Sequence, residues 1–150
     1  MKVYPSGSIR NVALVGHGGT GKTSLAEAML FNTGATKRMG KVDDGNTVSD
    51  YLQEEIKRKI TISSSLVPCE YRDHKINVID TPGYADFYYE VVGAMRVVDS
   101  MVVVMSATAG VEVQTEIIWE DFPDIPKLVF INKMDREHAN FYKVLDQMKE

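Results

Sequence analysis

Apolar residues recur along this chain in two rhythms. Short apolar stretches at residues 11–15, 74–80, 101–106 and 127–131 read as buried strands. In the first, Val12, Leu14 and Val15 supply the apolar surface, and in the second Ile76 and Val78 share one face. Residues 101–106 are apolar almost throughout, as a strand buried on both faces is. A further strand over 60–71 joins the one at 74–80 through Arg72 and Asp73. Between the strands the spacing turns helical. Leu25, Ala28 and Met29 mark a helix over 22–32, and Phe87, Val91, Ala94, Met95 and Val98 mark one over 85–98. A short helix over 112–119 is ended by Pro123 and Pro126, and Phe141, Val144, Leu145 and Met148 form the stripe of a last helix. Residues 33–59 carry little periodic pattern; a long irregular segment inside a compact domain is usually functional. Strands alternating with helices predict an α/β fold, a mostly parallel sheet with helices on both faces. Ligands in such sheets bind beyond the carboxyl ends of the strands.

Composition narrows this picture. With 150 residues and 44% apolar content, the chain is expected to form one globular domain. A formal net charge of −4 leaves no electrostatic footprint for nucleic acid, so direct sequence-specific binding to it by this chain is not expected. Cys69 is the only cysteine, which excludes an intramolecular disulfide; it reads as an inward-facing strand residue. Residues 1–10 lack a signal-peptide core, and the longest apolar run, 101–105, is far too short to cross a bilayer. The expectation is a cytoplasmic protein with no membrane partner.

The polar residues that follow the strands carry the chemistry. Gly16, His17, Gly18, Gly19, Thr20, Gly21, Lys22 and Thr23 match G-x-x-x-x-G-K-[ST] between a strand and a helix, with Ser24 next in the helix. Such a loop turns backbone N–H groups toward phosphate, and the helix adds its positive end. Lys22 can reach the β- and γ-phosphates of a nucleotide, and the Thr23 hydroxyl can ligate Mg²⁺. Asp80, Thr81, Pro82 and Gly83 end the 74–80 strand, where a lone carboxylate is costly without a partner such as Mg²⁺. Gly83 allows its N–H to come close to a γ-phosphate. Asn132, Lys133, Met134 and Asp135 follow the 127–131 strand. Guanine offers adjacent donors on N1 and N2, and the Asp135 carboxylate can accept both; adenine cannot match it. Asn132 can bridge loops, and the Lys133 stem can lie over a purine. In the irregular segment, Thr61 can complete a Mg²⁺ shell. GTP or GDP with Mg²⁺ is therefore the expected ligand, with Thr23, Thr61 and Asp80 as metal-side residues.

These groups stand in one order, and in that order the chain resembles the translational GTPases, most closely elongation factor G. The resemblance covers nearly the whole chain, including residues 40–45, 54–62, 80–87, 94–97, 109–111 and 132–141. It implies a P-loop G-domain, a phosphate loop at 16–23, a switch I ending at 58–62, a switch II from 80 and a guanine loop at 132–135. It also implies GTP hydrolysis with the ribosome as partner, carried by Lys22, Thr61, Gly83 and the residue after Gly83. That residue is the main departure: the family has histidine there, and this chain has Tyr84, followed by Ala85. Tyr84 is similar to a branch of elongation-factor-G-like paralogues. A phenol titrating near pH 10 is not a ready base, so slow hydrolysis is expected. The alternative is a regulatory or ribosome-protecting binding module with negligible turnover; an ATPase is the third reading, opposed by Asp135. Gly19 stands for a family aspartate, Lys59 and His138 for family glycines, and residues 120–125 are about two residues shorter than the family helix. The family's G-domain continues with another strand, helix and guanine-contacting loop, so residues 1–150 are expected to be an incomplete, C-terminally truncated G-domain.

Overall fold

The computed structural model describes residues 2–149. Its strands are β1 (Ile9–Val15), β2 (Ser65–Tyr71), β3 (His74–Asp80), β4 (Ser100–Ser106) and β5 (Lys127–Asn132). They form one sheet in the order β2-β3-β1-β4-β5. Only β2 runs antiparallel to its neighbour. The β2–β3 hairpin turns through Arg72 and Asp73, both at positive φ, the two-residue turn whose twist suits paired strands. The register aligns Leu14 with Asp80 and with Val102, and Ser106 with Asn132. The four parallel strands therefore release the chain at one edge, where the glycine loop, Asp80 and Asn132 emerge together.

The helices are α1 (Lys22–Asn32), α2 (Gln53–Arg58), α3 (Tyr88–Met95), α4 (Val113–Asp121) and α5 (Phe141–Gln147). Successive residues of β1 point to opposite faces. Leu14 packs with Ala26, Leu30, Val67, Cys69 and Val78 under α1. Ala13 and Val15 join Val91, Met95, Met101, Val103, Ile118 and Val144 beneath α3, α4 and α5. Cys69 is fully buried, and burial pushes its thiol pKa up, consistent with an inert core residue.

Several expected boundaries shift. Residues 53–58 within the irregular segment form α2, a helix of sequence QEEIKR with no apolar stripe for periodicity to detect. β2 begins at Ser65 rather than 60, because residues 60–64 lead in without a strand partner among the described residues. The expected helix over 85–98 opens as a 3₁₀ turn at Ala85–Phe87 and ends at Met95. β1 begins at Ile9, two residues earlier than its apolar core. Glu27 lies on the buried side of α1, outside the expected apolar face. Among the described residues no helix is long and apolar enough to cross a membrane.

Candidate functional site

β1 ends at Val15, and the loop from Gly16 to Gly21 delivers Lys22 as the first residue of α1. The Lys22 ammonium donates to Gly16 O at 3.0 Å and to His17 O at 2.8 Å, and is almost wholly buried. Burial draws its pKa down to about 8, against the pull of the Asp80, Glu112 and Asp50 carboxylates. It is held by carbonyls of the loop it closes, with its charge directed into that loop.

One residue further, the Thr23 hydroxyl donates to Asp80 Oδ2 at 2.7 Å and lies 3.0 Å from Thr61 Oγ1. The Thr61 hydroxyl donates to Asp50 Oδ1 at 2.8 Å. Each hydroxyl has a single proton, and both are directed at carboxylates. The two hydroxyls thus meet each other and two carboxylates in one buried cluster. Asp80 Oδ1 is buried with no hydrogen-bond partner among the described residues. Two hydroxyls and two carboxylates, one of them with an unpartnered oxygen, form an all-oxygen donor set, which suits a hard divalent cation that keeps phosphate and water ligands. A self-sufficient cage of three or more His, Cys, Asp or Glu side chains does not occur among the described residues.

Burial raises the Asp80 pKa to about 6, against the Thr23 hydrogen bond and the Lys22 charge. A carboxylate whose folded pKa exceeds its unfolded 3.8 destabilises the fold above about pH 6. The penalty fades as pH falls from there toward 3.8. Asp80→Asn keeps an acceptor for Thr23 and removes the charge. Without ligand it should be more stable by roughly 2 kcal/mol above pH 6, and the gain should vanish on acidification. Thermal melts of both proteins across pH check this; a variant that melts lower at neutral pH refutes it.

Residues that follow β3 close the cavity from that side. Tyr84 lays its ring across Gly18, where a Cβ would stand 2.8 Å from the nearest ring carbon, so a side chain at position 18 would displace the ring. Thr81 turns away and donates its hydroxyl to Leu14 O at 2.7 Å, fixing the chain as it leaves β3; Pro82 beside it is buried. The cavity holds about 320 Å³ and is lined by residues of the glycine loop with Lys22, Thr23, Asp50, Thr61, Gly83, Tyr84, Lys133 and Arg136. A separate cavity of about 410 Å³ against α4 contains none of these groups.

On the β5 side, Asn132 Nδ2 donates to Thr20 O at 2.9 Å and ties the two loops together. Lys133 adopts φ 61° and lines the cavity. Asp135 stands outside the lining, largely exposed, 3.9 Å from Arg136 Nε. His17 places Nε2 3.7 Å from Glu112, and Ser24 lies at the cavity's edge. Several cavity residues escape sequence reading, among them Val42, Asp43, Asp50 and Arg136. Asp50 sits in a segment rich in acidic residues with nothing to single it out, and Arg136 lies one position past the loop. Lys59 and His138 both sit at positive φ, which explains why glycine is the easier residue at each.

The sequence profile of the elongation factor Tu GTP binding domain matches residues 7–150. The chain belongs to that family. Its relatives include elongation factor G of Granulibacter bethesdensis, 45% identical over 144 residues, covering 95% of this chain and 21% of the relative. They also include the mitochondrial ribosome-releasing factor 2 of Drosophila melanogaster, 47% identical over 147 residues, covering 97% of this chain and 20% of the relative. A crystal structure from Thermus thermophilus superposes with TM-score 0.90 at 40% identity, over 95% of this chain and 22% of the other. The chain thus spans about a fifth of the length of these relatives. The fold is the family's G-domain, as the resemblance implied.

Proposed function

We propose that this chain is the GTP-binding unit of a translational GTPase that binds GTP and GDP with Mg²⁺ and hydrolyses GTP on the ribosome. The observation that carries the reading is the meeting of Lys22, Thr23, Thr61 and Asp80 at one cavity beneath a glycine loop. In this reading, N–H groups of residues 16–24 and the Lys22 ammonium hold the phosphates. Thr23, Thr61, Asp80 and Asp50 would hold Mg²⁺, which would neutralise developing phosphate charge. The Gly83 N–H meets the γ-phosphate. Thr81 and Pro82 set the turn that brings Gly83 and Tyr84 to it. Asn132 fixes the guanine loop, the Lys133 stem covers the purine and Asp135 reads its donors. Names of relatives that include elongation factor G and ribosome-releasing factor 2 support the ribosome as partner. The proposed location is the cytoplasm; the mitochondrial relatives mark an organelle matrix as the other compartment in which such a chain works. Titration with a fluorescent GTP analogue, with and without Mg²⁺, tests binding; no affinity in either condition refutes the reading.

Tyr84 sets the expected rate. Its ring rests on Gly18 and lines the cavity with Gly83; in this reading a hydroxyl, rather than an imidazole, would face the γ-phosphate. A positioned acid–base group contributes about 10²–10⁴-fold to such steps, and a phenol is a poorer one than an imidazole at neutral pH. Tyr84→His should raise single-turnover hydrolysis on ribosomes by about tenfold or more, with GDP affinity unchanged. Equal rates in the two proteins would sink the idea.

A further inference from the structure

Residues 40–63 fold back over the phosphate loop with little apolar packing to hold them. Val48 is 51% exposed, Tyr51 65% and Leu52 37%, and among the described residues no strand pairs with this stretch. What the segment has instead is buried carboxylate. Glu27 and Glu55 are each 1% exposed, and neither forms an ion pair among the described residues. A carboxylate buried without a counter-charge is costly unless hydrogen bonds satisfy it. Here the backbone of the segment does so. Glu27 accepts from Gly40 N at 2.9 Å on one oxygen and from Val48 N on the other. Glu55 accepts from Leu52 N at 3.0 Å, Ile62 N at 2.9 Å and Ser63 N at 3.1 Å.

The placement of the two residues is specific. Glu27 stands four positions after Thr23 in α1, one helical turn behind the Thr23 hydroxyl. The helix that begins at the phosphate loop therefore grips the first leg of the segment. Gly40 is shaped to that grip: a Cβ there would meet the Glu27 carboxylate, and would lie 2.8 Å from Thr47 Cα and 2.9 Å from Asn46 O. Glu55 grips the second leg at the two residues immediately after Thr61. Neither glutamate lines the cavity.

We infer that Glu27 and Glu55 are positioning residues that latch residues 40–63 across the phosphate loop and so deliver Thr61 to Thr23 and Asp80. The inference rests on the proposed GTP site for its consequence in binding, but the latch itself is made of hydrogen bonds between the chain's own groups. Glutamine keeps the size of glutamate, loses one acceptor oxygen and turns an amide N–H toward a backbone N–H. Gly40→Ala opens the Glu27 grip without altering a carboxylate.

Hydrogen exchange of the nucleotide-free protein and of Glu27→Gln, Glu55→Gln and Gly40→Ala reads the latch directly. Amides of residues 40–63 should exchange about tenfold faster or more in each variant, while amides of β1 and β4 stay protected. Affinity for a non-hydrolysable GTP analogue with Mg²⁺ should fall about tenfold, with GDP affinity within about twofold of wild type. Unchanged exchange in the segment overturns the inference. So does equal loss of sheet protection, or equal weakening of analogue and GDP, since either marks general support of the fold. If both glutamine variants fail to fold, Gly40→Ala decides. If the wild-type chain binds neither nucleotide, the GTP reading falls, and hydrogen exchange still decides the latch.

Discussion

Lys22→Ala should lower GTP affinity by about 10³-fold or more while leaving the nucleotide-free chain at least as stable. The first half follows from what the ammonium can do. Hydrogen bonds from a charged donor contribute about 1.5–3 kcal/mol each, and the Lys22 ammonium carries three donors, two of them on Gly16 O and His17 O of the loop proposed to hold phosphate. The second half follows from its burial. The folded pKa of about 8 lies below the ordinary 10.5, so the fold disfavours the charged form. That cost is complete below about pH 8 and disappears as pH rises toward 10.5. Removing the ammonium relieves it, and the lost bonds to Gly16 O and His17 O offset part of the relief. Melting temperature and nucleotide titration at neutral pH, measured on one preparation, separate the two effects. A variant that loses binding and melts well below wild type would make Lys22 a structural residue first. Together with Asp80→Asn, the experiment asks whether this edge of the sheet is built against its own stability. Opposite charges held dry and short of partners are the mark of a site whose ligand completes it.

What the sequence disclosed, and what it hid, divides along physical lines. The strands and the helices α3 and α5 were legible because burial writes a period into the chain, whereas α1 buries Ala26, Glu27 and Leu30 rather than the expected face of Leu25, Ala28 and Met29. The glycine loop, Asp80 and Asn132 were legible because their positions after strands are forced by a parallel sheet. α2 was hidden because Glu55 is its buried residue and the apolar Ile56 is 39% exposed, the reverse of the usual pattern. Glu27 was hidden for the same reason: a glutamate in α1 reads as solvated unless the backbone N–H groups that satisfy it can be seen. Asp50 is one of many acidic residues, and only the three-dimensional neighbourhood of Thr61 picks it out. Tyr84 was legible as a chemical departure, whereas its packing on Gly18 was not, since the two are far apart in sequence. Periodicity finds residues that face the core; it is silent about polar residues buried by tertiary hydrogen bonds.

The base preference gives the other large effect. Asp135→Asn should weaken GTP by about 10²–10³-fold and transfer preference to xanthosine triphosphate, leaving ATP weak. Guanine presents N–H donors at N1 and N2, which one carboxylate accepts side by side. Asparagine has a single acceptor oxygen, and its amide N–H groups oppose the guanine amine. Xanthine keeps the N1 donor and places a carbonyl at C2, so the amide matches it edge to edge. The surroundings should tolerate the change. The Asp135 side chain is 81% exposed, and its ion pair with Arg136, at 3.9 Å between solvated groups, contributes little. The loop is held by Asn132, whose amide donates to Thr20 O, and that bond is untouched. Stability should therefore stay within about 0.5 kcal/mol of wild type. Competition of GTP, xanthosine triphosphate and ATP against one fluorescent nucleotide reads the switch. Equal loss for all three would assign Asp135 to loop structure rather than base reading, and unchanged GTP affinity would remove it from the site. A clean exchange of guanine for xanthine would mean that Asp135, exposed at the rim and outside the cavity lining, becomes a direct contact when nucleotide arrives. The loop through Lys133 must then close over the base, with Asn132 as its fixed end.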